Sequence, residues 1–485
     1  MAYLFYQKKI MKQTLSKTKI VATLGPACSS KDIIKRMIRE GVDVFRINFS
    51  HSSQAEFLKL VTLIKNLNIE LDSHVAVLAD LQGPKLRVGE IENNSAALAE
   101  GGIISFVSEK CVGTSSRVYM SYLNFPKDVN SGEIILIDDG KIKLEVLSTN
   151  KKDTVKAKVI SGGLLSSHKG VNLPNTRVSL PCLTKEDISN ALFAIAHDVD
   201  WIALSFVRKA GDVLELKKLI KKHDSHAGVI AKIEKPEALQ EIDQIIQHAD
   251  GLMVARGDLG VEMPFDEVPL IQKHIIEKCI SRSKPVIVAT QMMESMITNF
   301  SPTRAEATDV ANAVLDGADA LMLSGETSIG KYPVETIMNM QKIIDYTESH
   351  GTPYNKINVP DEASPDYLAD AVCYNAAALA RQINAKAVIT FTHSGYTAKQ
   401  ISANRPVTDI FVFTNVDRLM PYLSLMWGVK VFYLKSYEKM EVSIEESIAI
   451  LREKKFLQPG DRVIHVGSSP LNEHGKTNIL KISTV

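Results

Sequence analysis

The chain lacks the features that would attach it to a membrane or to a charged polymer. Its 485 residues contain no uninterrupted apolar run of the ~18 residues that cross a bilayer. Lysine and arginine number 57 against 56 aspartates and glutamates, so the net charge is only +1. A nearly neutral chain has no overall positive field for holding nucleic acid or an anionic membrane surface. We therefore expect neither a nucleic-acid nor a membrane partner, and any bound anion must be held at a local site.

Cysteine is also scarce, and its spacing excludes a disulfide framework. The five cysteines include no pair separated by two residues and are Cys28, Cys111, Cys182, Cys279 and Cys373. An odd number of distant cysteines without a secretory signal peptide indicates free thiols and a cytoplasmic protein. The start MAYLFYQKKI has too short an apolar core for a signal peptide. We interpret 1–16 as an extension, with Met11 as an alternative natural start.

The composition that is present is typical of a globular protein with several domains. Hydrophobic residues make up 45% of the chain and charged residues 23%, which excludes disordered and collagen-like classes. At ~100–200 residues per domain, a chain of 485 residues implies about three domains.

Eight short apolar runs, separated by segments of helical periodicity, predict eight parallel strands. Such runs are rich in β-branched residues, as strands buried on both faces are. Thr184 and Asp187 have the spacing of a capping box at a helix start, and Gly41 is expected to end another helix. Eight strand–helix units predict a TIM barrel formed by 17–83 and 181–350, with its active site at the carboxyl ends of the strands. The runs span 19–24, 42–48, 74–80, 200–206, 229–234, 251–258, 285–290 and 318–326.

The segment between the third and fourth runs has a different period. Residues 141–147 and 154–160 alternate apolar and charged side chains at every second position, as half-buried antiparallel strands do. We therefore assign 84–180 to an inserted small β-barrel domain. It leaves the barrel beside its mouth, which makes it a candidate lid.

A third domain follows a segment rich in proline, asparagine and glycine at 351–365, which we interpret as a linker. Strand and helix patterns then alternate again, which predicts a C-terminal α/β domain with an open sheet over 360–485. Its strands are predicted at 387–392, 409–414, 429–434, 461–467 and 477–483, and its helices at 371–383 and 444–454. The whole chain is thus predicted to be an α/β protein.

Polar side chains interrupt the apolar runs near their carboxyl ends, where barrel geometry brings them together. Any one of these charges alone would be better explained as a structural ion pair. Together they exceed what the fold needs, because each buried charge is costly unless it is compensated. The set therefore predicts one functional pocket. It consists of Arg46, Asn48, Ser50, His51, Asp80, Lys232, Glu234, Arg256, Asp258, Thr290, Gln291, Ser324 and Glu326.

The residue types in this pocket indicate its chemistry. Glu234 and Asp258, at adjacent strand ends, can give carboxylate oxygens to a divalent ion whose shell substrate completes, as Mg²⁺ is usually held. Arg46, Lys232 and Arg256 can clamp a phosphorylated anion, which favours phosphoryl transfer with stabilisation of a developing oxyanion. Lys232 as a Schiff-base nucleophile is the alternative. The neighbouring carboxylates argue against it, because they would keep the ammonium charged.

Longer motifs carry a family resemblance in chain order. They are TKIVATLGPAC, VFRINFSH, ADLQGPKLRVG, KGVNLP, AKIEKPEAL, GLMVARGDLGVE, ATQMMESM, PTRAEATDVANAVLDGADALMLSGET and PGDRVI with GKTN. From residue 17 to 485 the chain resembles the pyruvate kinases. The resemblance implies phosphoryl transfer from phosphoenolpyruvate to ADP, giving pyruvate and ATP in the last step of glycolysis, with Mg²⁺ or Mn²⁺ as cofactor. It also implies that the insert closes over the cleft, and a homotetramer with Arg304 near one subunit interface.

The resemblance further implies a role for each matching residue. Glu234 and Asp258 match the metal ligands, and Lys232 matches the lysine that stabilises the enolate and the transferring phosphoryl group. Arg46 matches the arginine at the phosphoryl position. The family's other substrate-binding residues correspond here to Asp258, Thr290 and the backbone of Arg256 and Gly257. Its residues for proton delivery correspond to Ser324 and Glu326. Its nucleotide-binding residues correspond to Arg87, Lys169, Asn48 and His51.

One departure from the family concerns the monovalent cation. Asn48, Ser50, Asp80 and the carbonyl of Leu81 match the site where many members bind an activating K⁺. Those members usually have a glutamate where this chain has Lys85. A lysine ammonium has the charge of K⁺, so we predict that Lys85 fills the site, held by Asp80, and that K⁺ is not required. The alternative is that Lys85 points to solvent.

The C-terminal domain contains a second candidate site, a loop between a predicted strand and a predicted helix. Backbone amides and hydroxyls at such a position can hold a phosphate. The loop matches the family's site for phosphorylated effectors, which implies allosteric regulation; it comprises Thr392, Ser394, Gly395, Tyr396 and Thr397. The closing loop 468–477 has no arginine and offers only His474 and Lys476, which argues against a bisphosphate. A sugar monophosphate, a nucleotide, or no effector and an ordinary capped helix are the remaining alternatives.

Two other functions compete with a phosphotransferase. A metal-dependent TIM-barrel lyase or aldolase would share the metal site, but it would not need Arg87, Lys169 or the insert. A non-catalytic sensor would keep the C-terminal loop and show a degraded active site, whereas no expected active-site residue is missing.

Overall fold

The computed structural model describes residues 16–351, 359–435, 440–469 and 477–485; Met11 lies outside them. Within these ranges, eight parallel strands close into a barrel, and the last pairs with the first through Ala320 opposite Lys19. The predicted TIM barrel is therefore confirmed. Its strands are Lys19–Thr23, Val44–Asn48, Ala76–Asp80, Trp201–Leu204, Gly228–Ile233, Gly251–Ala255, Val286–Ala289 and Ala320–Leu323.

The barrel helices begin and end where their capping residues require. Thr184 and Asp187 form the predicted capping box, in which each side chain accepts the other residue's backbone N–H. Gly41 ends the first helix with φ of 116°, a conformation that favours glycine. The helices are Lys31–Glu40, Gln54–Leu71, Lys185–Ala196, Ala210–Lys222, Pro236–Gln240, Ile242–His248, Arg256–Glu262, Val268–Ser281, Arg304–Asp316, Gly325–Ser328 and Pro333–His350, with a 3₁₀ turn at Glu294–Ile297.

Two predicted strands are shorter than their sequence patterns suggested. The run 251–258 stops pairing at Ala255, and Arg256 begins a helix; the run 318–326 stops at Leu323, and a short helix begins at Gly325. Beyond these points no neighbouring strand is long enough to pair with the chain, so its backbone groups bond locally instead. Asp258 and Glu326 therefore lie on first helical turns rather than on strands.

The insert forms a domain with its own hydrophobic core. The predicted hairpin is present as antiparallel Ile142–Thr149 and Thr154–Ser161. Within the described residues, the strands form a six-stranded sheet and a two-stranded sheet that share one core containing Phe106, Leu144 and Leu165. The remaining elements are strands Ala96–Leu98, Ile103–Val107, Arg117–Tyr119, Ile134–Ile137, Gly163–Leu165 and Val171–Asn172, the short helix Phe125–Asp128 and the 3₁₀ turn Glu92–Asn94.

The C-terminal domain is the predicted open α/β sheet. Its central strand Ala387–Phe391 pairs in parallel with Asp409–Thr414 and Arg462–Gly467. Val429–Tyr433 extends the sheet in parallel at one edge, and Ile479–Thr484 is antiparallel at the other. The helices are Tyr367–Gln382, Tyr396–Ala403, Leu419–Leu423 and Met440–Glu453. None of the described helices is long and apolar enough to span a membrane.

All five cysteines lie within the described residues and are free thiols, as their spacing predicted. Burial raises the pKa of Cys28 to about 11. Such a thiol is overwhelmingly protonated near neutral pH and is a poor nucleophile.

A buried ion pair joins the C-terminal domain to the amino-terminal end of the barrel. The guanidinium of Arg405, which is 1% exposed, lies 2.9 and 3.2 Å from the two carboxylate oxygens of Asp319. Asp319 also accepts the backbone N–H groups of Val286 and Trp427, one from each domain. Because both charges are buried, each depends on the other for compensation.

We predict that Arg405→Ala lowers the free energy of unfolding by about 3–5 kcal/mol, because it leaves Asp319 buried without its cation. Lys454→Ala is the matched control, since Lys454 also pairs across the two domains, but with Asp72, whose side chain is 80% exposed. An exposed pair of this kind contributes at most about 1 kcal/mol. Urea unfolding followed by tryptophan fluorescence measures both variants. Equal losses would show that the buried pair contributes no more than the exposed one.

Candidate active site

The second and third barrel strands place an arginine against a carboxylate inside the barrel mouth. Arg46 Nε donates to Asp80 Oδ2 at 2.7 Å, and Arg46 Nη1 donates to Thr23 Oγ1 at 2.9 Å. Asp80 is 1% exposed, and its second carboxylate oxygen, Oδ1, accepts no hydrogen bond from the described residues. Burial alone would raise the pKa of Asp80, but the charges of Lys232 and Arg46 outweigh it and lower that pKa. Asp80 is therefore a carboxylate with two cationic neighbours.

Lys232, on the fifth strand, lies at the centre of the pocket. Its Nζ donates to Ser205 Oγ at 2.7 Å and lies 2.9 Å from Glu234 Oε1 and 3.3 Å from Asp80 Oδ1. Burial would lower the pKa of Lys232, but the charges of Asp80 and Glu234 hold it above its ordinary value. The lysine is therefore a fixed ammonium, as the residue types predicted, and not the neutral amine that a Schiff-base nucleophile requires.

Glu234 and Asp258 are close enough to influence each other. Burial raises the pKa of Glu234; the charge of Lys232 opposes this shift and the charge of Asp258 adds to it. Glu234 Oε2 accepts the N–H of Phe206 at 2.8 Å, whereas the Asp258 carboxylate accepts no hydrogen bond among the described residues. Among all the described residues, no group of three or more His, Cys, Asp or Glu side chains is placed so that it could hold a metal ion. Two hard carboxylates with room for other ligands fit Mg²⁺ bound together with substrate oxygens.

The seventh strand ends in a strained turn beside a backbone amide. Thr290 and Gln291 have φ of 69° and 55°, in the left-handed region. This turn brings Thr290 Oγ1 within 2.6 Å of the Gly257 N–H, which donates to it. A Cβ at Gly257 would lie 3.3 Å from Thr290 Oγ1, closer than most such contacts. Glycine at this position therefore keeps the amide and the hydroxyl together in the pocket.

Arg256 pairs with a carboxylate on another helix and with the Thr290 turn. Its guanidinium lies 2.7 Å from Asp309 Oδ1 on the helix Arg304–Asp316, and Nη2 donates to the Thr290 carbonyl at 2.8 Å. The contact with the carbonyl supports the Thr290 turn. Arg256 also lines the cleft that contains Gly257 and Asp258, and its place in an anion clamp stays a prediction.

Glu326 organises the eighth-strand side of the mouth. This carboxylate, 2% exposed, accepts the N–H of Ser324 at 2.7 Å and the N–H of Met293 at 3.1 Å. It thereby links the ends of the seventh and eighth strands. Ser324 is held in place through its backbone, beside the carboxylate.

Two of the predicted nucleotide-binding residues, Arg87 and Lys169, lie together on the insert. Arg87 Nη1 donates to the His168 carbonyl at 2.9 Å, and the neighbouring Val88 N–H donates to the Lys169 carbonyl at 3.0 Å. Lys169 Nζ lies 2.8 Å from Asp138 Oδ1. Paired backbone segments thus bring Arg87 and Lys169 together.

His51 lies near several positive charges at this edge of the barrel mouth. Burial lowers the pKa of His51, and the charges of Lys85, Arg46 and Arg87 lower it further. Three cations therefore surround one imidazole in a chain whose net charge is +1. Such a local excess of positive charge suits a polyphosphate.

The predicted contact between Lys85 and Asp80 is not formed. Lys85 is exposed, and Asp80 pairs instead with Arg46 and Lys232. The prediction failed because glycine and proline at 83–84 turn the chain out of the barrel before Lys85. The oxygens that match the K⁺ site accept internal hydrogen bonds: Asn48 Oδ1 from the Ser50 N–H at 2.9 Å, and the Leu81 carbonyl from Ser205 Oγ at 2.7 Å.

The candidate effector loop has the expected place between a strand and a helix. Gly395 precedes the helix Tyr396–Ala403 with φ of 81°, and its N–H donates to Thr392 Oγ1 at 2.8 Å. The hydroxyls of Thr397 and Thr477 are 2.8 Å apart. Tyr396 bonds through its hydroxyl to Asp370. His474 and Lys476 lie outside the described residues.

Sequence reasoning missed two groups in the pocket. Ser205, 1% exposed, connects Lys232 to the Leu81 carbonyl and ends the fourth strand's apolar run. The rule that selected polar residues at strand ends should have selected it. Phe206 contributes its backbone N–H from a residue with φ of 56°. No side-chain pattern predicts that amide.

Comparison with known proteins shows similarity to one family along the chain. The family model described as "Pyruvate kinase, barrel domain" matches residues 15–337, and "Pyruvate kinase, alpha/beta domain" matches residues 370–483. A pyruvate kinase of Clostridium perfringens is 38% identical over 483 residues, covering 97% of this chain and 100% of that protein. One of Sporosarcina psychrophila is 40% identical over 473 residues, covering 97% and 81%. The crystal structure of a pyruvate kinase from Cryptosporidium parvum superimposes with a TM-score of 0.92 at 34% identity, covering 97% and 96%.

Proposed function

The chain belongs to the pyruvate kinase family of phosphotransferases, and from that membership we propose that it transfers the phosphoryl group of phosphoenolpyruvate to ADP, giving pyruvate and ATP in the last step of glycolysis. The observation that carries the proposal is the buried ammonium of Lys232 between Asp80 and Glu234. A metal-dependent lyase or aldolase would leave the cations beside His51 without a polyphosphate to bind.

Arg46 and Lys232 act on the phosphoryl group and on the enolate that it leaves. The bond between phosphorus and the enol oxygen breaks, and a bond forms from phosphorus to a β-phosphate oxygen of ADP. Lys232 is permanently charged because carboxylates raise its pKa. It is therefore available to stabilise negative charge on the enolate oxygen as that charge develops.

We assign the divalent metal, Mg²⁺ or Mn²⁺, to Glu234 and Asp258. When bound, it would neutralise charge on the phosphoryl and carboxylate oxygens. The support is the pair of carboxylates, Glu234 and Asp258, which lie close enough to interact electrostatically. Fewer than three protein carboxylates leave coordination positions for substrate oxygens.

The remaining groups position the substrate and its proton. We assign the Arg256–Gly257 backbone and Thr290 to the substrate carboxylate and the carbon that becomes the methyl group. Ser324, held beside Glu326, lies on the path that delivers a proton to that carbon. The support is the set of backbone contacts that hold these residues at adjacent strand ends.

We assign the insert, 84–180, the role of a lid over the barrel formed by 17–83 and 181–350. Arg87 and Lys169 then contact the nucleotide phosphates, with Asn48 and His51 on the barrel side. The support is that Arg87 and Lys169 lie together on the insert, through the contacts of Arg87 with His168 and of Val88 with Lys169, and that the charge of Arg87 acts on His51 of the barrel. Closure over the mouth excludes water, which would otherwise accept the phosphoryl group.

We predict that Lys232→Met lowers kcat at least ~10²-fold, because a charged group aimed at the developing oxyanion is lost. Lys217→Met is the control, since Lys217 also pairs with a carboxylate, Asp250 at 2.7 Å, but at the opposite end of the barrel. The measurement is pyruvate formation from phosphoenolpyruvate, ADP and Mg²⁺, coupled to lactate dehydrogenase.

Three results of this assay are decisive. ADP-dependent pyruvate formation by the wild type that stops when EDTA removes Mg²⁺ supports the activity and its metal. No pyruvate from the folded wild type overturns the proposed reaction. Full turnover by Lys232→Met overturns the role of the lysine alone.

K⁺ independence is a further proposal about this site. Lys85 adds a fixed positive charge near His51, and the Asn48 and Leu81 oxygens that would bind K⁺ accept internal hydrogen bonds. The site therefore already carries a fixed positive charge, and its potential K⁺ ligands already have hydrogen-bond donors, without an added monovalent cation.

We predict that Lys85→Glu makes activity depend on K⁺, because reversing this charge leaves a carboxylate for the cation to balance. The wild type should be equally active in tetramethylammonium and K⁺ buffers, and Lys85→Glu should be activated by K⁺ alone. Lys152→Glu, an exposed lysine on the insert, is the control. A many-fold activation of the wild type by K⁺ would contradict the proposal.

We also propose that the loop Thr392–Thr397 binds a phosphorylated allosteric effector with a single phosphate. The first N–H of the helix, that of Tyr396, donates to Ser394 Oγ at 3.4 Å, and Gly395 has no side chain to accept the next N–H groups, which leaves those for an anion. The absence of arginine from 468–477 argues against a second phosphate.

We predict that glucose 6-phosphate, ribose 5-phosphate or AMP lowers the half-saturating concentration of phosphoenolpyruvate, and that Ser394→Ala weakens this response. Fructose 1,6-bisphosphate is the comparison ligand. Steady-state activation curves measure the effect. Activation by the bisphosphate alone, or by none of these ligands, would refute the assignment.

Assembly and location complete the proposal. We infer a homotetramer in which Arg304, exposed at the start of Arg304–Asp316, lies near a subunit interface, and a C-terminal regulatory domain over 360–485. The free cysteines support a cytoplasmic location.

A further inference from the structure

Glu262 is a buried carboxylate outside the catalytic cluster. It ends the helix Arg256–Glu262 and is 5% exposed. Its Oε1 accepts the side-chain amide of Asn172 at 2.9 Å and also pairs with the ammonium of Lys235. Its Oε2 is buried and accepts no hydrogen bond from the described residues. Burial makes each of the two contacts more important to this charge than it would be at the surface.

The three residues belong to three different parts of the molecule. Lys235 directly follows Glu234 at the end of the fifth strand, and its ammonium lies 6.0 Å from the centre of the Phe206 ring. Glu262 is on the same helix as Asp258. Asn172 is on the insert, in the strand Val171–Asn172. The Glu262 carboxylate therefore contacts the insert through Asn172. It is linked to Glu234 through the adjacent residue Lys235, and to Asp258 through the helix that both share.

Asn172 lies close to the predicted nucleotide contact on the lid. Lys169 is three residues earlier in the chain, and the Val171 N–H donates to the Leu86 carbonyl at 2.9 Å, next to Arg87. A shift of Asn172 relative to Glu262 thus shifts the backbone that carries Lys169 and Arg87.

The insert has a second anchor, where its chain returns to the barrel. Arg208 donates to the carbonyls of Val178 and Leu180, at 2.6 Å for the latter. This contact fixes the end of the insert, where the chain returns to the barrel. Farther into the domain, Asp139 lines the same cleft of about 690 Å³ as Gly257 and Asp258.

We propose that Asn172, Glu262 and Lys235 form a tether that holds the lid at the barrel mouth and sets the distance between Lys169 and the metal ligands. The hydrogen bond from Asn172 reduces the cost of burying Glu262, so the buried charge favours the lid position in which that bond exists. Asn172 and Glu262 are positioning residues, and their effect on nucleotide binding rests on the proposed function. Lys235 holds the carboxylate from the barrel side.

The test compares Asn172→Ala with Glu109→Gln. Glu109 pairs with Arg117 on the surface of the same insert, with side chains 82% and 53% exposed. Loss of a hydrogen bond to a charged group is expected to raise the KM for ADP roughly tenfold in Asn172→Ala, with a much smaller change for phosphoenolpyruvate. Amide hydrogen exchange of the substrate-free protein should become faster in 84–92 and 168–180 but not in the barrel strands. The control should change neither quantity.

A charge exchange separates positioning from general damage. Asn172→Asp alone places two carboxylates together and is expected to act as Asn172→Ala does. Adding Glu262→Gln restores one amide and one carboxylate with their places exchanged, so the double variant should recover most of the lost ADP affinity and the slow exchange. No rescue in a folded double variant counts against the tether.

Hydrogen exchange keeps this inference distinct from the proposed reaction. If the wild type forms no pyruvate from phosphoenolpyruvate and ADP, the proposed function fails, and faster exchange in Asn172→Ala still supports the tether. If Asn172→Ala matches the control in both exchange and KM, the tether is overturned whatever the wild type catalyses.

Discussion

The compensation of one buried ammonium underlies the rest of the candidate active site. Lys232 lies inside the barrel, where an uncompensated charge would destabilise the fold or lose its proton. Asp80 and Glu234 prevent both outcomes by lying within 3.3 and 2.9 Å of it. Each carboxylate is in turn stabilised from another strand, by Arg46 or by the Phe206 N–H. The pocket is thus a network of charges in which no member could be buried alone.

The closed barrel brings the members of this network close enough to compensate one another. The strand that carries Lys232 is separated in sequence from those that carry Arg46 and Asp80 by the whole insert, and closure of the sheet places the three at one end. The rigid strands keep the charges at their mutual distances, so little reorganisation is needed when negative charge develops on a bound anion. The lid and the C-terminal domain are attached at opposite ends of this rigid unit, through Glu262 and through the buried pair of Arg405 with Asp319.

Local patterns predicted the elements well, because each depends on neighbours in the chain. The apolar runs, the Thr184 capping box and the alternating hairpin follow from backbone propensity and from which face is buried. The polar residues at strand ends predicted the pocket, and their types predicted an ammonium beside carboxylates. A predicted contact was wrong where the position of a side chain depends on the path of the backbone after the strand ends. Lys85 does not contact Asp80, because the chain leaves the barrel at 83–84.

The sequence by itself determined the family and the TIM barrel with its two further domains, and it predicted the residues that we propose for phosphoryl transfer. Only the tertiary structure decided which partners these residues have. Asp80 pairs with Arg46 and Lys232 instead of Lys85, and the Ser205 hydroxyl donates to the Leu81 carbonyl. Glu262 accepts a hydrogen bond from Asn172 and so connects the insert to the barrel. The physical reason is that a buried charge takes its partners from whatever elements packing brings within about 3–4 Å, and those distances are set by the closed sheet rather than by spacing along the chain.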